Sequence, residues 1–259
     1  MQHDNVRSTN TSLFGAGLRY TAAFMARKKV RRESGDLREL PSYSIGEASA
    51  YLGIPESTLN TWVRGYTRRG KSHPPMIRPA DAERGLLSFY NLVEVHILEA
   101  ARRRKVPTRR LRIAVEWAYE TLGGSHPLIT NEFALAGRRV FVKKLHGDPI
   151  EASRFGQVIS KKMTPLLKKF LQTISRDPHD HTPIEIQPIR KTSTRVGPLV
   201  INPKICSGRP VVRGTDVLAS VLRHRAKAGE PLSDLSKDYG LDVREIKKVV
   251  NYLGKAKAA

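Results

Sequence analysis

The stretch 43-YSIGEASAYLGIPESTLNTWV-63 decides the fold. Ser44 followed by Glu47 is a capping box: the serine oxygen takes an orphan amide proton of the first helical turn, and the glutamate reaches back to the cap. Ile45, Ala48, Tyr51 and Leu52 then recur at helical spacing on one face. Gly53 supplies the left-handed residue that stops this helix, with Ile54 as the apolar anchor behind it. Pro55 suits the opening of a second helix, because its missing N–H has no helical partner there. Leu59, Trp62 and Val63 give that helix its apolar face. A small residue at Ser49, a glycine in the turn and apolar locks at Ile54, Leu59 and Trp62 are what a helix-turn-helix requires. Facing outward are Glu56, Ser57, Thr58, Asn60, Thr61 and Arg64, side chains able to read base edges in a major groove. An ordinary αα-hairpin with its polar face in water is the plainer alternative.

The continuation favours DNA. Arg68-Arg69-Gly70-Lys71-Ser72-His73-Pro74-Pro75 is a basic loop suited to a wing on the phosphate backbone, and Leu86–Tyr90 reads as the wing's return strand. Leu92, Val95, His96, Leu98 and Glu99 lie on a helix running to Arg102-Arg103-Arg104-Lys105, with His96 as a packed side chain. Candidate base readers are therefore Ser57, Thr58, Asn60, Thr61 and Arg64, and candidate phosphate contacts are Arg68, Arg69 and Lys71. The order Y-S-I-G-E-A-x-x-Y-L-G-I-P-x-x-T-L-x-x-W-V, a basic wing, then F-Y-x-L-V-E-V-H-I-L resembles the MerR-like winged-helix regulators over Tyr43–Ala101. Such regulators continue into a long dimerising helix that often ends at a metal or drug site. Here Pro107 breaks the chain and a shorter helix, Thr108 to Leu122, follows, so inducer sensing is not expected.

Composition points the same way. Lys and Arg number 46 against 24 Asp and Glu, a formal net charge of +22 that asks for a polyanion or an acidic partner. Nucleic acid is the default, with an acidic protein, a ribosome or a membrane surface as alternatives. No run approaches the roughly 20 apolar residues of a membrane span. The single cysteine, Cys206, excludes an intramolecular disulfide and fits a reducing cytoplasm. Residues 1–41 read as a disordered basic tail carrying the cluster Arg27–Arg32; an organelle transit peptide, or translation from Met25, are alternatives.

Residues 123–195 form a middle region and a possible dimerisation surface. Phe133, Leu135, Val140 and Val142 predict a β-hairpin, Met163–Ile174 a basic helix, and Ile184, Ile186 and Ile189 a further strand. Asp177, His179, Asp180 and His181 sit in a Pro-flanked linker without a second ligand group, so no metal and no cofactor is expected. Cys206 lacks a histidine base and no triad, P-loop or carboxylate pair stands out, so the chain is not expected to be an enzyme.

Residues 196–259 change character again: a turn-rich arm, then helices over Val217–Ala228, Leu232–Tyr239 and Val243–Leu253. Ser236, Gly240, Leu241, Ile246 and Val249 repeat the spacing of Ser49, Gly53, Ile54, Leu59 and Trp62, so this trihelical unit also has helix-turn-helix grammar. Its outward residues, Asp242, Arg244, Glu245, Lys247 and Lys248, are of mixed sign and less suited to base reading. The run I-N-P-x-I-C-x-G-x-P-V-V-x-G-T resembles the small family of unknown function found in VapB-like antitoxins, which are encoded beside PIN-type ribonuclease toxins. Asp216 stands where that family usually has arginine.

The expected fold is mostly α (α+β), with a winged helix-turn-helix at 42–122, the middle region, and the trihelical unit. The resemblance implies a cytoplasmic, homodimeric antitoxin that binds double-stranded operator DNA and neutralises a PIN-type toxin, with no membrane partner. Arg209 and Arg213 are the candidate toxin contacts, since arginine forks match the clustered carboxylates of such nucleases. The alternative is a stand-alone MerR-like transcription regulator whose C-terminal unit serves oligomerisation or ligand binding.

Overall fold

The computed structural model describes residues 35–130, strand residues 132–136, 139–143, 150–151 and 157–158, and residues 172–188 and 197–254. The fold is mixed: helices with small antiparallel sheets, led by a helix-turn-helix.

Helix α1 (Ile45–Leu52) carries the expected capping box. Ser44 Oγ accepts from the Glu47 N–H at 3.2 Å, and Ser44 N–H donates to Glu47 Oε2 at 3.0 Å. It ends at Gly53 in the left-handed region (φ 65°). Helix α2 (Glu56–Val63) starts after Pro55. Strands β1 (Tyr66–Arg68) and β2 (Lys71–His73) form an antiparallel hairpin. The return strand is thus Lys71–His73 and not Leu86–Tyr90. Leu86 pairs with Asp81 and Leu87 with Tyr43 as isolated bridges, and Ser88 caps helix α3 (Phe89–Arg103), so Phe89 and Tyr90 are helical. The apolar run there feeds a helix because Ser88 and Asn91 form a second capping box.

Every residue from Phe89 to Ala101 is buried, which makes α3 the axis of the larger core. Leu59, Trp62, Ile77 and Leu87 pack in that core with Leu111 and Ala118 of helix α4 (Thr108–Thr121) and, from the distal chain, Ile174, Ile186 and Ile201. Lys105 at φ 60° and Pro107 separate α3 from α4, as the proline suggested. Buried polar groups on α3 are paired. Glu99 receives Arg102 Nε at 2.6 Å and Arg103 Nε at 2.8 Å, while Glu94 receives Asn91 Nδ2 at 3.1 Å and the Tyr119 hydroxyl at 3.2 Å.

A four-residue helix, α5 (Pro127–Thr130), leads into β3 (Glu132–Ala136), β4 (Arg139–Lys143), β5 (Ile150–Glu151) and β6 (Gln157–Val158), a four-stranded antiparallel sheet in chain order. The expected hairpin is its first pair, in the register Phe133↔Val142 and Leu135↔Val140. The helix expected over Met163–Ile174 lies mostly outside the described residues. Its last residue, Ile174, instead opens strand β7 (Ile174–Arg176), paired with β8 (Pro183–Ile186). Two β-branched residues at Thr173 and Ile174, both buried against the larger core, favour the strand there. Asp177, His179, Asp180 and His181 belong to the β7–β8 turn, where their groups close the loop: Asp177 N–H donates to the Thr182 carbonyl at 2.8 Å and Asp180 Oδ1 accepts from the Thr182 N–H at 2.8 Å. Ile189 lies outside the described residues.

Strands β9 (Leu199–Val200) and β10 (Val211–Val212) pair antiparallel, with a tight turn at Cys206–Gly208 between them. Helices α6 (Ala219–Lys227), α7 (Leu232–Tyr239) and α8 (Val243–Gly254) follow within a residue or two of the expected bounds. They enclose a second, wholly apolar core of Leu199, Val212, Ala219, Leu222, Leu235, Leu241, Ile246 and Val249. Of the supposed tail, 1–34 lies outside the described residues, but Asp36 and Arg38 are anchored: Arg38 Nη1 donates to Thr182 Oγ1 at 2.5 Å and its guanidinium lies 5.3 Å from the Tyr90 ring. Among the described residues no helix is long and apolar enough to cross a membrane.

Candidate nucleic-acid interface

The crossing of α1 and α2 is held from both sides. Leu59 and Trp62 bury their side chains against Ala48 and Leu52, and Ser49 Oγ donates to the Ile54 carbonyl at 2.6 Å across the turn. That bond fixes the small residue required at the crossing and satisfies a carbonyl the turn would otherwise leave open. With Leu59, Trp62 and Val63 turned inward, α2 presents Ser57 fully and Thr58, Asn60 and Thr61 in part. Thr61 Oγ1 donates to the Thr58 carbonyl at 2.7 Å, so its hydroxyl is left to accept. Arg64 caps α2 and is exposed, with its guanidinium laid over Gly85: a Cβ built there would sit 2.7 Å from Arg64 Nη2.

The hairpin stands directly after α2. Arg69 (φ 50°) and Gly70 (φ 73°) form its two-residue turn with both central residues left-handed, the geometry whose twist matches a tight hairpin. This puts Arg68 opposite Lys71 with both side chains exposed, and Arg69 at the tip. The base of the hairpin is braced. The Tyr66 and His73 rings stack at 4.5 Å, Arg112 of α4 donates to the Pro74 carbonyl, and its guanidinium lies 5.5 Å from the Tyr66 ring. From Ser57 to Ala80 the chain has no acidic residue and carries Arg64, Arg68, Arg69, Lys71 and Arg78. Arg78 is drawn aside onto the Tyr119 ring at 3.9 Å. The eight residues singled out from sequence thus lie on one helix, its cap and the adjoining hairpin.

The two arginines of the C-terminal arm are held differently. The arm is packed: Val211 and Val212 are buried, and Cys206 Sγ donates to the Asp216 carbonyl at 3.3 Å. Cys206, Ser207 and Gly208 all have positive φ (46°, 52° and 74°), which brings the Gly208 carbonyl to the buried Tyr43 hydroxyl at 3.1 Å. A Cβ on Gly208 would overlap that hydroxyl. Arg209, though exposed, pairs with Glu47 of α1 at 3.6 Å. Arg213 is exposed, and its backbone N–H donates to the Pro198 carbonyl at 2.9 Å. Burial raises the pKa of both Tyr43 and Tyr51, with Glu47 adding to it, so both phenols remain protonated. Sequence reading missed Tyr51, Ser220, Arg223, His224 and Lys227, which gather with Arg209 around a cavity. The signal available was a polar stripe at helical spacing along α6.

Comparison with known proteins agrees with this layout. A family profile described as "Putative DNA-binding HTH domain" matches residues 41–115, and one described as "Protein of unknown function (DUF433)" matches residues 199–253. The chain is 28% identical over 227 residues to "Uncharacterized protein Rv2308" of Mycobacterium tuberculosis, covering 84% of this chain and 92% of that protein. It is 27% identical over 232 residues to "Putative antitoxin VapB45" of the same organism, covering 82% of this chain and 94% of the relative. The crystal structure of Rv2018 from Mycobacterium tuberculosis matches with a TM-score of 0.56 at 20% identity, over 82% of this chain and 97% of that one, a likeness of fold.

Proposed function

We propose that this chain is a DNA-binding antitoxin: the helix-turn-helix and its hairpin bind the promoter of its own operon, and the C-terminal unit sequesters a PIN-type ribonuclease toxin. The observation that carries the reading is the acid-free run from Ser57 through the hairpin, with Arg68 facing Lys71 beside the polar face of Ser57, Thr58 and Asn60. The likeness to a relative named as an antitoxin supports the toxin half of it. In this reading the domain is a MerR-like winged helix acting as a cytoplasmic homodimer, since one short recognition helix covers too few bases alone. The sheet beginning with β3 and β4 offers the dimer surface. Binding, without a cofactor and without turnover, is the whole activity.

Fluorescence-anisotropy titrations on DNA from upstream of the gene test the DNA half. Arg64→Ala should cost about 1–3 kcal/mol and relax sequence preference. Lys71→Ala should weaken all sequences alike and lower the salt slope by about 1. Loss of specificity to the same degree in both variants would sink the division of labour. For the toxin half, Arg213→Glu is the clean probe, because that side chain is exposed and no ion pair engages it among the described residues. Co-expression with the neighbouring gene should show lost co-purification and lost growth rescue while DNA binding survives; undiminished rescue moves the toxin contact elsewhere.

A further inference from the structure

Helix α6 carries its cations on two faces. Arg225 is neutralised: its Nε lies 2.7 Å from Glu230 Oε2, an Nη2 lies 2.6 Å from Asp238 Oδ2, and its guanidinium is 5.3 Å from the Tyr239 ring. Ser220, Arg223, His224 and Lys227 fall at i, i+3, i+4 and i+7, a single stripe of the helix. That stripe lines a cavity of about 260 Å³ whose other wall includes Tyr51 of α1 and Arg209 of the arm. Among the described residues, no carboxylate pairs with Arg223, His224 or Lys227, and the buried Nε of Arg223 has no hydrogen-bond partner. Glu47 engages Arg209 from the rim, but it is already the acceptor for the Ser44 cap.

We infer that this cavity is a binding site for a small phosphorylated ligand, its phosphoryl group held by Arg209, Arg223 and Lys227 with the Ser220 hydroxyl, and its remainder against the Tyr51 ring. Charge selects the phosphoryl group. Three fixed cations face one space, more than a single carboxylate neutralises, whereas a phosphate monoester brings about −1.5 to −2 and three strong acceptor oxygens. The unsatisfied Arg223 Nε asks for such an acceptor, since a buried donor left alone costs about 1–3 kcal/mol. Volume selects a small ligand: the cavity is at or below the lower end of ordinary ligand pockets, about 300–1,000 Å³. Phosphates of duplex DNA meet exposed surfaces such as the hairpin, and the concave site has no room for a duplex. Cations near the C-terminus of α6 would favour the helix dipole in any case, yet this does not account for Arg223 in mid-helix or for the cavity in front of it. A ligand here would join α1 of the helix-turn-helix to α6 of the C-terminal unit.

Calorimetric titration of the full chain at fixed ionic strength tests the site. Inorganic phosphate and ribose 5-phosphate should each bind saturably with one site per chain, and ribose should not bind. Arg223→Gln combined with Lys227→Gln should weaken both by at least tenfold. Arg244→Gln, an exposed cation on α8, should leave them unchanged. Ser220→Glu, which places a carboxylate in the cavity without removing packing, should reproduce the loss, so the result does not depend on one variant's folding. No saturable binding at fixed ionic strength overturns the proposal. So does an equal loss in Arg244→Gln, which would mark diffuse charge attraction, or a double variant that loses DNA binding while phosphate binding never saturates in the parent.

Discussion

The chain contains the same turn twice. In the N-terminal unit Ser49 Oγ donates to the Ile54 carbonyl at 2.6 Å, and in the C-terminal unit Ser236 Oγ donates to the Leu241 carbonyl at 2.6 Å. Gly53 and Gly240 occupy nearly the same left-handed conformation (φ 65° and 64°), and Leu59 and Trp62 are buried as Ile246 and Val249 are. What surrounds the two turns differs. The first presents a polar helix face, acidic only at Glu56, and leads into a basic hairpin; the second ends in α8, where the half-buried Glu245 sits among exposed Arg244, Lys247 and Lys248. The first rests on a core holding buried Glu94, His96 and Glu99, whereas the second core has no buried polar residue among the described residues. Local grammar therefore specifies a helix-turn-helix, while its surface and its core neighbours decide the use to which it is put.

The comparison breaks first on packing. Trp62→Ala should cost about 3–5 kcal/mol and Ile246→Ala about 2–5 kcal/mol by chemical denaturation. A loss under about 1 kcal/mol at Ile246 would mean the second turn is not built on its buried residues.

Acid should separate the two cores next. Burial, with Arg103 adding to it, pushes the His96 pKa down to about 3. Its contribution is present above the unfolded value near 6.5 and is lost as pH falls, by about 1.4 kcal/mol per unit until about pH 3. His126 behaves in the opposite sense. Burial opposes its charge, but Glu94 at 3.2 Å outweighs that and raises its pKa, so its stabilisation is full below about 6.5 and fades as pH rises through the folded value. Thermal midpoints against pH should flatten on the acid side in His96→Gln, and on the alkaline side in His126→Gln. Unchanged profiles would mean that other groups control the response.

On DNA, Arg68→Ala should lower affinity by about 1 kcal/mol or more at low salt, and Lys247→Ala should have no measurable effect. Comparable losses would make the second unit a DNA contact as well. The smallest effect is the sharpest check of the repeat: Ser49→Ala and Ser236→Ala should each cost about 0.5–1.5 kcal/mol. Thermal denaturation of the two variants would disprove the equivalence if only one were destabilised.

Both helix-turn-helix units, their stops at Gly53 and Gly240, the break at Pro107 and the first hairpin of the middle sheet were legible along the chain. Capping, helical periodicity and turn chemistry act over a few residues, and a sequence displays them directly. The grouping of the eight candidate DNA contacts was legible for the same reason, since they lie on one helix and the loop after it. The misread return strand marks the limit: Leu86–Tyr90 is apolar enough for either state, and its partners Asp81 and Tyr43, with the Ser88 cap, decided it. What tertiary structure alone decided joins residues far apart in the chain. The Tyr43 hydroxyl meets the Gly208 carbonyl across 165 positions, Arg209 reaches Glu47, and the stripe on α6 faces Tyr51 across a cavity. No local periodicity encodes such meetings, because they depend on how the whole chain closes; a cation on a helix reads as solvated until the fold sets another beside it.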